Sequence, residues 1–391
     1  MPVINSVAAR QDEISAWRRH LHQNPELGFQ EVETSRFVAE RLREFGVDEI
    51  HTGIAKTGVV AVVRGRAEGP AIGLRADMDA LPIVEESGMP WASRTPGRMH
   101  ACGHDGHTAM LLGAARHLAE TRSFAGTAVL IFQPAEEGGG GGRLMVEEGL
   151  FDRFPVERVF GLHNWPWLPV GSFAMCQGPA MAAADYFEVT VTGQGCHAAM
   201  PHTGRDPVVA AAGLVQAIQT IVSRGIDPVD NAVVSVTKLT GGDTFNVVPE
   251  RASLVGTVRT FKPTTQAFIQ QRMGEVVNGI AAAYGVTAAL NYRHGYPATV
   301  NSAEEATLGA DAAADVVGEA AVVRDPAPAM GAEDFAYMLQ RRPGSYIWMG
   351  TGDGDQPGPS LHSPHYDFND AALPVGTSYW VRLVERLLPA T

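Results

Sequence analysis

The chain has 391 residues, 45% of them hydrophobic and 19% charged, with 43 acidic side chains against 30 basic ones and a net charge of −13. That apolar content excludes a disordered or fibrous chain, and a length beyond what one hydrophobic core usually serves predicts two domains. The acidic excess would repel phosphates and anionic lipid, so neither nucleic acid nor a membrane is expected as a partner. No unbroken apolar run approaches the roughly 18 residues expected of a membrane-spanning helix. Only Lys56, Lys238 and Lys262 are lysines, so arginine is frequent and its presence at any one position says little by itself.

Residues Met1 to Arg10 show no basic leader followed by an apolar segment, and they run into an amphipathic stretch with Ile14, Trp17 and Leu21 on one face. Cys102, Cys176 and Cys196 are too few and too scattered for a disulfide framework. Both features predict a cytoplasmic protein. Up to about residue 182, short apolar runs (Val59 to Val63, Ala71 to Leu74, Thr127 to Phe132, Val159 to Gly161) are separated by helical patterns such as Thr34 to Phe45 and Thr108 to Glu120. Continuous hydrophobicity predicts strands buried on both faces, as in a mixed α/β sheet covered by helices.

The middle of the chain reads differently. Phe187, Val189 and Val191 alternate with polar residues, Pro207 to Arg224 is helical, and Val233 to Thr240 and Ala252 to Phe261 are strands. Ile269, Met273, Val276 and Ile280 mark a second helix, and Val286, Ala288, Leu290 and Tyr292 alternate again. This β-α-β-β-α-β order predicts a ferredoxin-like α+β domain over 185–294, inserted into a discontinuous main domain of 1–184 and 295–391.

Four segments place polar residues beside buried elements: Asp77 and Asp79 after one strand, Glu136-Glu137 after another, His163-Asn164 after a third, and Cys102-Gly-His104-Asp105-Gly-His107 at the start of a helix. Open α/β sheets bind ligands at the carboxyl ends of their strands, so these segments are expected to converge. A thiolate, imidazoles and carboxylates together suit a borderline cation such as zinc, manganese or cobalt. The helix N-terminus is expected to favour the Cys102 thiolate. Two adjacent carboxylates after so apolar a strand are costly unless a cation neutralises them. Other readings stay open at this level. The run Gly138 to Gly142 could cradle phosphate, although no Lys-Ser or Lys-Thr follows it, and Cys102 with a histidine could be a nucleophile and base, which leaves the glutamate pair unexplained.

Several motifs occur in order: Arg18-Arg-His-Leu-His-Gln-Asn-Pro-Glu-Leu-Gly28, Leu74-Arg-Ala-Asp-Met-Asp-Ala-Leu-Pro82, Met99-His-Ala-Cys-Gly-His-Asp105, Gln133-Pro-Ala-Glu-Glu-Gly138, Gly161-Leu-His-Asn164, Met330-Gly-Ala-Glu-Asp-Phe335 and His362-Ser-Pro-His-Tyr-Asp-Phe-Asn369. With them the chain resembles the M20 metallopeptidase family, in the amidohydrolase branch that contains hippurate hydrolase, N-acyl-amino-acid amidohydrolases and auxin-conjugate hydrolases. The resemblance implies a di-metal aminopeptidase-like catalytic domain with a lid and dimerisation insert. It implies two divalent ions per subunit (manganese, zinc, cobalt or nickel) held by Cys102, His104, Glu137, His163 and His362, with Cys102 bridging. Glu136 matches the general base, and Asp77 and Asp79 match groups that orient a ligand. His107 and His365 have no ligand role in the pattern. In the insert, His197 matches a residue that reaches a partner subunit's site in a homodimer, and Asn246 and Arg259 match residues that hold substrate. The activity so implied is hydrolysis of the amide bond of an N-acyl amino acid. A peptidase of the same fold and a metal-holding binding protein without turnover are the alternatives, and a spare base at Glu136 speaks against the second.

Overall fold

The computed structural model describes residues 3–354 and 358–390. Two compact units divide it: Met1–Ala180, Thr299–Pro328 and Asp334–Thr391 form one, and Met181–Ala298 with Ala329–Glu333 form the other. The crossings thus fall a few residues outside those expected at 184 and 295. Ala329–Glu333, which the sequence pattern leaves in the main domain, joins the second unit because the Ala182 N–H donates to the carbonyls of both Ala329 and Gly331.

An eight-stranded mixed sheet organises the first unit. Its order is Glu49–Ile54, Gly58–Arg64, Thr127–Gln133, Ala71–Asp77, Arg158–Pro169, Gly344–Gly352, Phe173–Met175 and Val322–Arg324. The four strands from Thr127–Gln133 to Gly344–Gly352 run parallel, and the first two are antiparallel additions at one edge. Gly58–Arg64 is buried except at its last residue, and Gly344–Gly352 is buried throughout, which explains their unbroken apolar or small-residue character. Ala71–Asp77 is flanked by strands that follow it in the chain on both sides. The chain therefore changes direction across the sheet there, and the carboxyl ends of strands at such a reversal are where open α/β sheets bind ligands.

Helices Gln11–Gln23, Val32–Phe45, His104–Thr121, Ala303–Val317 and Leu373–Leu387 are the longer helices of the first unit. His104–Thr121 is buried along almost its whole length, with Leu111, Ala115 and Leu118 in the core beside Leu74, Leu130 and Trp380.

The second unit has the expected ferredoxin-like order. Its antiparallel sheet runs Ala232–Gly241, Arg251–Thr260, Ala183–Thr192, Thr287–His294. Helices Pro207–Gly225 and Pro263–Tyr284 share its core through Leu214, Ile218, Ile269 and Met273. The first of these helices starts sharply, because the Asp206 carboxylate accepts the Val208 and Val209 amides at 2.8 and 3.3 Å and Pro207 presets the first turn. By length and composition alone this helix is apolar enough to cross a membrane, although Gln216 and Gln219 keep it from being an unbroken apolar run. Here its apolar face, with Ala210, Ala211, Leu214, Ile218 and Ile221, is buried in the core of the second unit.

Candidate metal centre

Every candidate ligand belongs to the first unit. The strand Ala71–Asp77 delivers Asp77 and, two residues later, Asp79; Thr127–Gln133 delivers Glu136 and Glu137; His163 lies within Arg158–Pro169; Cys102 and His104 flank the start of His104–Thr121. His362 comes from the loop after Gly344–Gly352, and its backbone N–H donates to the Ala101 carbonyl at 2.8 Å, which seats it beside Cys102. Three positions here adopt left-handed backbone: Gly103 (φ +88°), Ala135 (φ +53°) and His362 (φ +65°). For the two non-glycine residues that conformation is costly and is held by its surroundings. At Gly103 a Cβ atom would come within 2.5 Å of Asn164 Oδ1, so only glycine lets the helix start approach the strand.

The donor atoms form overlapping triplets. Cys102, His104 and His163 offer ligand atoms within 4.8 Å of one another, as do Cys102, Glu137 and His362. Cys102 is common to both. His104, Glu136 and Glu137 make a further such group.

Both buried imidazoles are oriented by backbone. His104 Nδ1 donates to the Asp79 carbonyl at 2.9 Å, with Asp79 Oδ1 at 3.2 Å, which leaves Nε2 buried with no hydrogen-bond partner among the described residues. His163 Nδ1 donates to the Asn164 carbonyl at 2.8 Å, and its Nε2 lies 3.5 Å from Cys102 Sγ. A second hydrogen bond fixing the tautomer is the usual companion of a metal-bound histidine. Asp79 also accepts the Glu137 amide N–H at 2.9 Å, so one carboxylate organises two candidate ligands. His362 Nε2 stands 3.1 Å from Glu137 Oε1. An orphaned imidazole nitrogen beside a thiol, a second imidazole and a carboxylate fits a borderline divalent cation.

Electrostatics point the same way. Burial, with Glu137, Glu136 and Asp77 adding to it, pushes the Cys102 thiol well above its ordinary range. The helix N-terminus was expected to lower it; Cys102 instead lies outside the helix, desolvated among carboxylates, and only a cation would reverse that balance. Burial works against charging His104, but Asp77, Asp79 and Glu137 outweigh it and push its pKa up to about 10. Burial holds His163 well below the ordinary imidazole value, so it is neutral. Asp77 stays ionised despite burial because Arg75, His104 and His107 surround it.

Asp77 meets the cluster through different partners from Asp79. Its Oδ2 accepts from Arg75 Nη1 at 2.7 Å and lies 3.7 Å from His104 Nε2, while its Oδ1 meets His107 Nδ1 at 2.5 Å. His365 Nδ1 donates to the Glu86 carbonyl. In the second unit, His197 and Asn246 come together: His197 pairs with Val247, and the Ala198 N–H donates to the Asn246 carbonyl at 3.0 Å. Arg259 lies apart from them, on the four-stranded sheet, donating to Thr257 Oγ1 and the Val258 carbonyl.

Other buried polar groups support the centre. Arg75 donates to Gln133 Oε1 at 2.8 Å, Gln133 Nε2 donates to Asp334 Oδ1 at 2.7 Å, and Asp334 accepts the Gly142 amide at 2.7 Å. Asp105 accepts from His22 at 2.8 Å. Burial opposes charging His22, but Asp105 and Glu85 overcome it and push its pKa up to about 9. An arginine inside an otherwise apolar strand is a legible signal at Arg75; His22 and Gln133 carry none comparable.

Residues 73–386 match the model of peptidase family M20/M25/M40. The chain is 44% identical over 372 residues to N-acetyl-L-cysteine deacetylase of Bacillus subtilis (95% of this chain, 87% of that one). It is 38% identical over 388 residues to hippurate hydrolase of Campylobacter jejuni (99% and 100%). The crystal structure of a dinuclear metal binding peptidase of the M20 family from Bacillus subtilis superposes with a TM-score of 0.85 at 36% identity, covering 98% of this chain and 100% of that one. With its sheet, insert and cluster of cation donors, the chain belongs to peptidase family M20/M25/M40 and is a hydrolase.

Proposed function

We propose that this hydrolase is a metal-dependent amidohydrolase that cleaves N-acyl amino acids (hippurate-like, N-acetyl or aryl-acyl conjugates) to a carboxylic acid and a free amino acid. The carrying observation is Glu136, buried to 6% exposure with a carboxylate oxygen within 4.8 Å of ligand atoms of His104 and Glu137, yet in neither triplet that shares Cys102. Two divalent ions, held by Cys102, His104, Glu137, His163 and His362, would supply Lewis acidity toward the amide carbonyl and toward water. Manganese, zinc, cobalt and nickel all suit this mixed sulfur, nitrogen and oxygen set. Glu136 takes a proton from the attacking water and returns it to the leaving amine nitrogen. His197 donates to the oxyanion that develops on the acyl group, Arg259 pairs with the carboxylate of the amino acid half, and Asn246 holds the substrate. Relatives named for N-acetyl-L-cysteine and for hippurate support this substrate class. We place the reaction in the cytoplasm, whose reducing pool would keep Cys102 a thiol.

Prolonged chelation is expected to abolish hydrolysis, and adding back manganese, cobalt or zinc to restore it. Full activity in protein shown to be metal-free refutes the proposal. A panel of benzoyl-, acetyl- and indolylacyl-amino acids, set against short peptides with a free amine, separates amidohydrolase from peptidase.

The proposal includes a homodimer joined through the second unit, with His197 serving the partner's centre. In that unit the outer strands Ala232–Gly241 and Thr287–His294 each pair on one side only among the described residues, and such edges invite a symmetric partner. His197 is exposed, as a residue acting on another chain's substrate has to be. Coexpressing His197→Ala with Glu136→Ala tests this. Random pairing makes about half the dimers mixed and one site in each of them intact, so roughly a quarter of all sites should work. If mixed dimers form and no activity returns, His197 acts within its own chain.

A further inference from the structure

We infer that His107 is a positioning residue that sets the orientation of His163, an inference that rests on the metal reading above. By distance alone His107 could be a ligand, since its ring, Asp77 and His104 bring ligand atoms within 4.8 Å of one another. Its bonds exclude that. The Asn164 backbone N–H only donates, and it donates to His107 Nε2 at 3.0 Å, so that nitrogen carries no proton. The proton of the ring therefore sits on Nδ1, 2.5 Å from Asp77 Oδ1. Both ring nitrogens are committed, and the lone pair a cation would need is taken.

The same bond anchors the residue that aims His163. Asn164 gives its N–H to His107 and accepts from His163 Nδ1 with its carbonyl, at 2.8 Å. The N–H and the carbonyl lie in the two peptide groups on either side of the Asn164 Cα, so pinning the first limits how the second can turn, and the carbonyl that takes the Nδ1 proton leaves His163 Nε2 facing Cys102 Sγ. The His107 and His163 rings lie edge to face with centroids 4.7 Å apart, and the Asn164 side chain is tied to Tyr366 Oη at 2.6 Å, so Asn164 is held by its backbone N–H and its side chain together. His107 thereby couples the buried Arg75–Asp77 pair to an imidazole that Asp77 is not shown to bond.

Two polar substitutions separate this role from mere packing. In His107→Asn the amide sits where Nδ1 was, keeping a donor for Asp77 and losing the acceptor for Asn164. In His107→Gln the amide reaches the position of Nε2 and restores that acceptor. Folding of each metal-free variant is checked by circular dichroism and melting, and cobalt(II) is then titrated against a competing chelator while the absorption bands of the cobalt–thiolate centre are recorded. His107→Asn should weaken the binding of one of two ions about 10- to 100-fold, the usual loss when a group that orients a ligand is removed, and should shift the bands. His107→Gln should bind both ions within a few-fold of the wild type. Wild-type affinity and spectrum in His107→Asn overturn the inference, and so does equal weakening in the two variants. A wild-type chain that takes up no cobalt at all overturns the metal reading itself, and the inference with it.

Discussion

Replacing Glu136 by Gln should lower kcat by about 10²- to 10⁴-fold or more while leaving the metal content intact, because a positioned base contributes on that scale and here acts twice in each turnover. The amide preserves the size and burial of the side chain and removes only its capacity to take a proton. Of the two triplets that share Cys102, one draws on Glu137 and neither on Glu136. Metal analysis of the purified variant beside its kinetics decides the matter: if Glu136→Gln comes out stripped of metal, the roles of the two glutamates have to be exchanged. Cys102→Ala should do the opposite and lose at least one ion, since its sulfur belongs to both triplets. A Cys102→Ala protein that keeps both ions yet is inactive would favour a thiol nucleophile.

Metal uptake should depend steeply on pH, rising by up to about 100-fold in apparent affinity per pH unit through the neutral range. The sign follows from two groups. In the metal-free centre Cys102 is a thiol, its pKa pushed well above the ordinary range by burial and three carboxylates, and His104 is an imidazolium with a pKa near 10. A cation binding both must expel two protons, so lowering the pH opposes binding twice over. His163, held neutral by burial, adds no proton to the exchange at neutral pH. Competition titrations with a chromophoric chelator at several pH values measure the slope. A slope near zero would mean that neither Cys102 nor His104 is a ligand.

Much of this is legible in the sequence alone. Buried strands such as Thr127–Gln133 announce themselves as unbroken apolar runs, and the polar residues at their ends mark the crevice, because polarity after so apolar a segment needs a reason. The insert declared itself through alternation, since its sheet exposes one face. Strand Gly344–Gly352 was less readable: its interior, Ser345 to Thr351, mixes small and aromatic residues, and its burial comes from long-range pairing with Arg158–Pro169. Edge strand Glu49–Ile54 is half exposed and carries a charge, and helix Leu373–Leu387 opens on Leu-Pro without a side-chain cap. At the centre the candidate ligand types are visible, whereas the protonation of Cys102 is not, because a dipole argument from helix position lacks the desolvation and carboxylates that only the fold assembles. The hub at Asn164 was invisible for a related reason: three of its bonds run to His107, His163 and Tyr366, and two of those partners are far away in the chain.

The discontinuity of the first unit also has a temporal side. Cys102, His104, Glu137 and His163 all leave the ribosome before the second unit is made, but the strand that pairs with Arg158–Pro169 on its open side spans residues 344–352, and His362 follows later still. During synthesis the nascent chain therefore exposes an unpaired edge of its central sheet while the whole ferredoxin-like insert is translated. Domains tend to fold as units in the order they emerge, so the insert can close first and the older half of the first unit has to wait for residues 344–352. Until then four of the five proposed donors sit on a sheet with an open flank. The order of translation thus delays the full proposed set until His362 has been made.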